Sequence, residues 1–95
     1  MAIVAVFEFP DASVDQYEKV FEAGGAPILD QPSRRYHVCY RTDTGFVVVD
    51  VWDDEQSFAS FGEVIGPAMQ IAGLNGGPVV HPLQGIITED GKRSK

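Results

Sequence analysis

The strongest constraint on this chain is a pair of β-rich runs joined by a short turn. Residues 35–42 and 46–52 are dominated by Val, Tyr, Phe and Trp, which favour strands. The residues between them, 43–45, read Asp-Thr-Gly, and such a turn between two strands predicts a β-hairpin. The second run is apolar at every position except Asp50, so both faces of this strand are expected to be covered.

A helix is predicted before the hairpin. Ser13 can cap the free amides of its first turn, and Gln16 three residues later completes a capping box. Gly24-Gly25 is expected to end the helix. Its apolar residues fall on one stripe, formed by Val14, Tyr17, Val20 and Phe21.

A second helix is predicted after the hairpin. It opens at residues 53–55, three acids that suit the positive end of a helix dipole. Gly66-Pro67 predicts a kink or a restart before the helix ends at Gly73. The stripe expected to be buried comprises Phe58, Phe61, Val64 and Ile65.

The remaining segments complete a β-α-β-β-α-β order. Residues 2–9 and 79–87 are predicted strands, and 26–34 is a predicted connecting loop. This order is the split βαβ motif of an α+β, ferredoxin-like fold: a four-stranded antiparallel sheet with two helices on one face. Pro82 cannot donate to a central ladder, so the last strand belongs at an edge. We expect one domain over residues 1–88 and a flexible polar tail over 89–95.

The central hairpin strand also predicts self-association. Val47, Val49 and Val51 alternate with Phe46, Val48 and Trp52, so the strand is apolar on both faces. Helices can cover one face, and a second copy of the sheet is the simplest cover for the other. We therefore expect a homodimer that forms a dimeric α+β barrel; the alternative is a monomer with one partly apolar face.

Charge and composition exclude several classes of partner. The net charge is −7, and three of the seven basic residues lie in the last four positions. Nucleic acid and anionic membrane surfaces are therefore not expected partners, because both require clustered Lys and Arg. No signal peptide or transmembrane segment is predicted. The single cysteine, Cys39, allows no intrachain disulfide, which favours a cytoplasmic location.

The hairpin and the helix after it carry a family resemblance. Residues 37–61 read HVCYRTDTGFVVVDVWDDEQSFASF, with a strand-ending Trp followed by acids and then Phe. This pattern resembles the dimeric α+β barrel superfamily, and within it the antibiotic-biosynthesis-monooxygenase-like group of small single-domain proteins. The order of strands and helices extends the resemblance over residues 2–87. It implies the fold and dimerisation, and it implies activities that include cofactor-free oxidation of aromatic polyketides and haem degradation.

The candidate catalytic residues are His37 and Asp50, because a carboxylate can orient an imidazole for proton transfer. Whether they meet depends on the hairpin register. A four-residue connection sets them directly opposite one another, and a three-residue connection places them on opposite faces. The sequence leaves this open. The alternative is a strand histidine satisfied by backbone or water and an aspartate at a dimer contact.

The expected ligand is a small hydrophobic or aromatic molecule held between the sheet and the helices. Its candidate binding residues, besides His37, are Trp52, Phe58, Phe61 and His81. No metal site is predicted, because His37, Cys39 and His81 have no metal-binding spacing. Many monooxygenase-like members carry a His about where this chain has Phe61, and this departure favours a non-catalytic binding protein as the alternative. Haem bound through His81 or His37 is a third hypothesis.

Overall fold

The computed structural model describes residues 1–94 as a four-stranded sheet with helices on one face and a small terminal hairpin. The elements follow one another as β1 (Ile3–Phe9), α1 (Val14–Gly24), α2 (Ala26–Leu29), β2 (Arg34–Arg41), β3 (Phe46–Trp52), α3 (Glu55–Ala72), β4 (Val79–Pro82), β5 (Ile86–Ile87) and β6 (Arg93–Ser94).

The main sheet has the strand order β2-β3-β1-β4, and all its neighbouring strands are antiparallel. This order confirms the ferredoxin-like topology, with β2 and β4 at the edges. Pro82 lies in β4, where a missing N–H does not interrupt a central ladder.

The end of the chain differs from the prediction of one strand over residues 79–87. Pro82 ends β4, and the chain then leaves the main sheet; Ile86–Ile87 pairs instead with Arg93–Ser94 in a separate two-stranded sheet. The segment 89–95, expected to be a flexible tail, therefore contains the strand β6. Its last residue, Lys95, lies outside the described residues.

The predicted cap of α1 is present. The Ser13 hydroxyl accepts from the Gln16 amide at 3.3 Å, and the Gln16 side chain accepts from the Ser13 amide at 2.9 Å. The helix ends before Gly25, whose φ of 66° suits glycine. The loop prediction over 26–34 was wrong at its start, where α2 forms. Pro27 is compatible with this short helix because first-turn amides have no partner within the helix.

α3 continues through Gly66 and Pro67 as one helix of 18 residues, where we expected a kink or a restart. Pro67 removes one backbone donor. Buried side chains on both sides of it, Phe61 before and Ala68 and Ala72 after, hold the helix against the core. Packing of this face therefore outweighs the local cost of proline.

The two faces of the sheet have different surroundings. Ile3, Ala5, Phe7 and Phe9 of β1 join Phe46, Val48 and Trp52 of β3 in the core beneath the helices. The opposite surface, called the open face below, carries Val47, Val49 and Val51 of β3, which pair with Tyr40, Val38 and Tyr36 of β2. These three β2 side chains are 52%, 40% and 48% exposed, so the open face is apolar and largely uncovered at its β2 edge.

The turn between β2 and β3 fixes their register. The Thr42 amide donates to the Gly45 carbonyl at 2.9 Å, and the Gly45 amide donates to the Thr42 hydroxyl at 3.0 Å. This closes a four-residue connection with Arg41 opposite Phe46 and His37 opposite Asp50. A Cβ at Gly45 would overlap the carbonyl of Phe9, so the turn needs glycine there.

Candidate functional site

A continuous line of hydrogen bonds crosses the helix-facing side of the sheet. The Tyr17 hydroxyl lies 2.7 Å from His37 Nε2, and His37 Nδ1 lies 2.6 Å from Asp50 Oδ1. The Trp52 indole N–H donates to the other carboxylate oxygen, Oδ2, at 3.3 Å. Three elements contribute: α1 supplies Tyr17, the edge strand β2 supplies His37, and β3 supplies Asp50 and Trp52.

Asp50 is the anchor of this line. Its side chain is buried, and the residue is only 2% exposed. Burial of a carboxylate requires hydrogen-bond donors, and here the imidazole and the indole supply one to each oxygen. Donation from Nδ1 leaves Nε2 of a neutral imidazole as an acceptor, and the Tyr17 hydroxyl then donates to it.

The Tyr17 hydroxyl is a phenol rather than a phenolate over the physiological pH range. Burial raises its pKa to about 12, and the negative charges of Glu18 and Asp50 add to this effect. Arg34 acts in the opposite direction and lowers the pKa of Tyr17. Tyr17 is therefore a weak acid that loses its proton only to a base in direct contact, and His37 Nε2 is positioned to accept that proton.

The line of hydrogen bonds opens into a cavity of about 290 Å³ between the sheet and the helices. Tyr17, His37 and Asp50 are on its wall together with one cation, Arg34. The rest of the wall is apolar and comes from the sheet, all three helices and the segment after α3: Phe7, Phe9, Val20, Phe21, Ile28, Leu29, Phe46, Val48, Phe61, Ile65, Met69 and Leu74. Such a site suits a hydrophobic ligand with a few polar groups.

No protein-family model matches the chain, and no curated protein matches it by sequence. Solved structures do match. A substituted form of SnoaB, a cofactor-independent oxygenase from Streptomyces nogalater, is 21% identical, with a TM-score of 0.61, and the match covers 93% of this chain and 96% of that one. The monooxygenase from the gene ActVA-Orf6 of Streptomyces coelicolor, in complex with nanaomycin D, is 21% identical, with a TM-score of 0.56 and coverage of 92% and 90%. This chain has the same ferredoxin-like α+β fold as these structures.

A protein from Caulobacter crescentus assigned to the antibiotic-biosynthesis monooxygenases adds to this agreement in fold. It is 21% identical, with a TM-score of 0.55, and the match covers 90% of this chain and 88% of that one. Among residues 1–94, no helix is long and apolar enough to cross a membrane. Over the same range, no group of three or more His, Cys, Asp or Glu side chains is arranged to hold a metal ion.

The structure brings together some of the sequence-predicted site residues and separates others. His37, Asp50 and Phe61 lie on the cavity wall. Trp52 and Phe58 do not; Trp52 is fully buried beneath the wall, with its ring centroid 4.9 Å from Phe61 and 5.8 Å from Phe58. His81 borders a different pocket, beside Met1 and Asp54.

The sequence reasoning missed two residues of the site, Tyr17 and Arg34. Tyr17 was placed only on the apolar stripe of α1. A tyrosine on a buried stripe has a hydroxyl that needs a partner, and this requirement was the signal available in the sequence. Arg34 has no part in the predictions made from the sequence, and nothing in its neighbouring residues indicates that it faces a cavity.

Proposed function

We propose that this protein is a cofactor-independent monooxygenase that oxidises an electron-rich, hydrophobic aromatic substrate in the cavity. One observation carries the proposal: the Asp50–His37–Tyr17 line of hydrogen bonds ends in a cavity whose remaining wall is apolar except for Arg34. A polar relay that ends in an apolar cavity is suited to removing a proton from a bound hydrophobic molecule. The fold shared with SnoaB, a cofactor-independent oxygenase, supports the same class of activity.

The first step is proton removal. The substrate gives its proton to the Tyr17 oxygen while the Tyr17 proton moves to His37 Nε2, so a free phenolate never accumulates. Asp50 stabilises the resulting imidazolium through Nδ1. In this scheme Tyr17 touches the substrate, and His37 acts through Tyr17 with Asp50 holding its orientation.

The second step uses the electrons of the deprotonated substrate. The substrate carbanion transfers an electron to O₂, and the radical pair combines to form a C–O bond. The peroxide takes the proton held by His37; its O–O bond then breaks as the same carbon loses its second proton, which gives a ketone and water. A methylene group and O₂ thus become a carbonyl and H₂O, with the substrate as the only reductant.

We also propose that the protein acts as a homodimer through the open face. Val49 lies at the centre of this face, between Val38 and Val6, and a second copy would cover these side chains with the same apolar surface. The unpaired thiol of Cys39 agrees with a reducing, cytoplasmic location.

Oxygen consumption tests the enzymatic proposal. Purified protein mixed with anthrone-type substrates under air is expected to consume oxygen faster than the same mixture without protein. One O₂ should be consumed for each ketone formed. Absence of uptake across a broad panel of such substrates would remove the enzymatic claim. It would favour the alternative, a non-catalytic binding protein. One observation favours that alternative: the Tyr17 hydroxyl occupies Nε2, the nitrogen that would otherwise meet the ligand directly.

Haem binding through His37 or His81 has weaker support than either of these two functions. His37 has both ring nitrogens in hydrogen bonds, so axial ligation would require displacement of Tyr17 or Asp50. His81 lies away from the cavity, beside another pocket. A Soret band that develops when hemin is added would restore the haem hypothesis.

A further inference from the structure

Arg34 is held on the cavity wall by backbone and aromatic contacts. Its two terminal nitrogens, Nη1 and Nη2, donate to the carbonyls of Ile28 at 2.9 Å and Leu29 at 3.1 Å. Its guanidinium carbon lies 5.8 Å from the centroid of Trp52 and 5.7 Å from that of Phe61, within the range of a cation–π interaction. These contacts fix the position of the guanidinium without neutralising its charge.

No carboxylate in residues 1–94 forms an ion pair with Arg34. The neighbouring Arg35 differs, because its Nε lies 2.6 Å from Asp53 Oδ1. Asp50 is the acid on the cavity wall, and its two oxygens already accept from His37 and Trp52. Within residues 1–94 the Arg34 guanidinium therefore has no carboxylate in direct contact, and the Asp50 carboxylate on the same wall is bonded to other donors.

We propose that Arg34 binds an anionic oxygen on the aromatic ligand, so the substrate class of the cavity is an aromatic ring system that carries a carboxylate or an acidic hydroxyl. This inference rests on the proposed function, since it assumes that the cavity holds the ligand. A guanidinium has five N–H donors, and two are directed at carbonyls here, which leaves donors for an oxygen anion. Inside an apolar wall such a charge-assisted bond is stronger than in water.

The position of Arg34 relative to Tyr17 gives the anion site a second role. The positive charge of Arg34 acts on the Tyr17 hydroxyl across the same cavity, since it lowers the pKa of that group. A ligand between them would lose its proton toward Tyr17 while its developing negative charge faces Arg34. Arg34 would thus both select an acidic ligand and stabilise the anion that reacts with O₂.

The test compares two ligands that differ in charge and share their ring system. Isothermal titration calorimetry gives dissociation constants for naphthoate and naphthalenemethanol with the wild-type protein and with Arg34→Gln. We expect the wild type to bind naphthoate about tenfold more tightly than the alcohol, as a charge-assisted hydrogen bond predicts. Arg34→Gln is expected to lose this preference, because its affinity for naphthoate should fall to about its affinity for the alcohol.

Arg35→Gln is the matched control, because it makes the same change in charge one residue away, at a side chain paired with Asp53. It is expected to keep the preference for naphthoate. Circular dichroism checks that the variants fold. If Arg34→Gln does not fold, Arg34→Lys replaces it and is expected to keep part of the preference, since it retains the charge without the planar fork.

The outcomes separate this inference from the proposed function. Equal binding of both ligands by the wild type, or an unchanged preference in Arg34→Gln, overturns the role of Arg34 and leaves the oxygen-uptake result as it stands. A preference that depends on Arg34 supports the anion site even where no substrate consumes oxygen. Failure of the wild type to bind either ligand overturns the inference together with the cavity as a ligand site.

Discussion

The Tyr17 hydroxyl lies 2.7 Å from Nε2 of His37, and this hydrogen bond joins α1 to the edge strand β2. The two rings are nearly parallel, with an interplanar angle of 13° and centroids 6.0 Å apart. The imidazole is thus held from both sides, by the phenol at Nε2 and by Asp50 at Nδ1. Proton transfer between His37 and a ligand in the cavity would therefore pass through Tyr17.

Tyr17→Phe tests that route. The substitution removes the hydroxyl and keeps the ring, which packs against Phe21 and Phe46. We expect oxygen uptake with an active anthrone-type substrate to fall about 100-fold, the lower end of the usual effect of a general acid–base group. The matched control is Tyr36→Phe, which removes a hydroxyl from the open face and is expected to leave the rate unchanged. An undiminished rate in Tyr17→Phe would exclude the relay.

Asp50→Asn tests how the imidazole is oriented. An amide facing Nδ1 can donate to it, and the ring proton then moves to Nε2, where it blocks acceptance of the Tyr17 proton. Oxygen uptake is expected to fall by on the order of 100-fold or more, with the fold retained. Asp53→Asn, at an exposed carboxylate that pairs with Arg35, serves as the control and should keep the wild-type rate. Equal rates in the two variants would contradict a role for Asp50.

The pKa of Tyr17 predicts a loss of stability at high pH. Between pH about 10, the ordinary value, and about 12, the folded state keeps the Tyr17 proton that the unfolded chain releases. Unfolding then releases a proton, so the free energy of unfolding decreases as the pH rises through this window. Urea unfolding at about pH 9 and about pH 11 should show a smaller decrease for Tyr17→Phe than for the wild type. Identical decreases would mean that Tyr17 titrates normally.

The sequence predicts the elements that surround the site better than the side-chain contacts within it. Strand runs and helix stripes follow from residue type and spacing, so the sheet order and the apolar cavity wall were accessible from the sequence. The His37–Asp50 contact depended on whether the turn closes over an even or an odd number of residues, which its hydrogen bonds decide. The Tyr17–His37 contact depends on how α1 docks on the sheet, and no local pattern encodes that.

Val49→Lys tests the proposed dimer. Val49 is at the centre of the open face, and a lysine there would be buried without a counterion in a face-to-face pair. Light scattering at micromolar concentration is expected to give twice the chain mass of 10.3 kDa for the wild type. The variant is expected to give the mass of one chain. Ile71→Lys, at a 63% exposed apolar residue of α3, is the control and should remain dimeric. A folded wild-type protein with the mass of one chain would contradict the dimer.

Two glycines of the helices predict opposite changes in stability. A Cβ at Gly24 would overlap the side chain of Ile28, which is part of the cavity wall, so Gly24→Ala should lower the free energy of unfolding by about 1–3 kcal/mol. Gly62 lies inside α3 with open space around a Cβ, so Gly62→Ala should raise that free energy by about 0.5–1 kcal/mol. Urea unfolding measures both. Equal effects in the two variants would contradict the close packing of Gly24.

α2 and Arg34 show why the rest of the site was not predictable. Pro27 indicated a loop. A proline in the first turn of a helix loses no backbone hydrogen bond, however, because the N–H groups of that turn have no partner within the helix, and the short helix forms. Its last carbonyls, at Ile28 and Leu29, then face the Arg34 guanidinium. The position of this cation therefore depends on a one-turn helix whose own sequence signal is ambiguous.

The four-residue connection between β2 and β3 limits how this protein can diverge. Substitutions at Asp43 or Thr44 leave the spacing of the turn intact. Insertion or deletion of a single residue would turn the imidazole of His37 toward the open face and bring a neighbouring side chain, Tyr36 or Val38, into its place. Relatives that share the chemistry proposed here should therefore differ freely in the composition of this turn and keep its length.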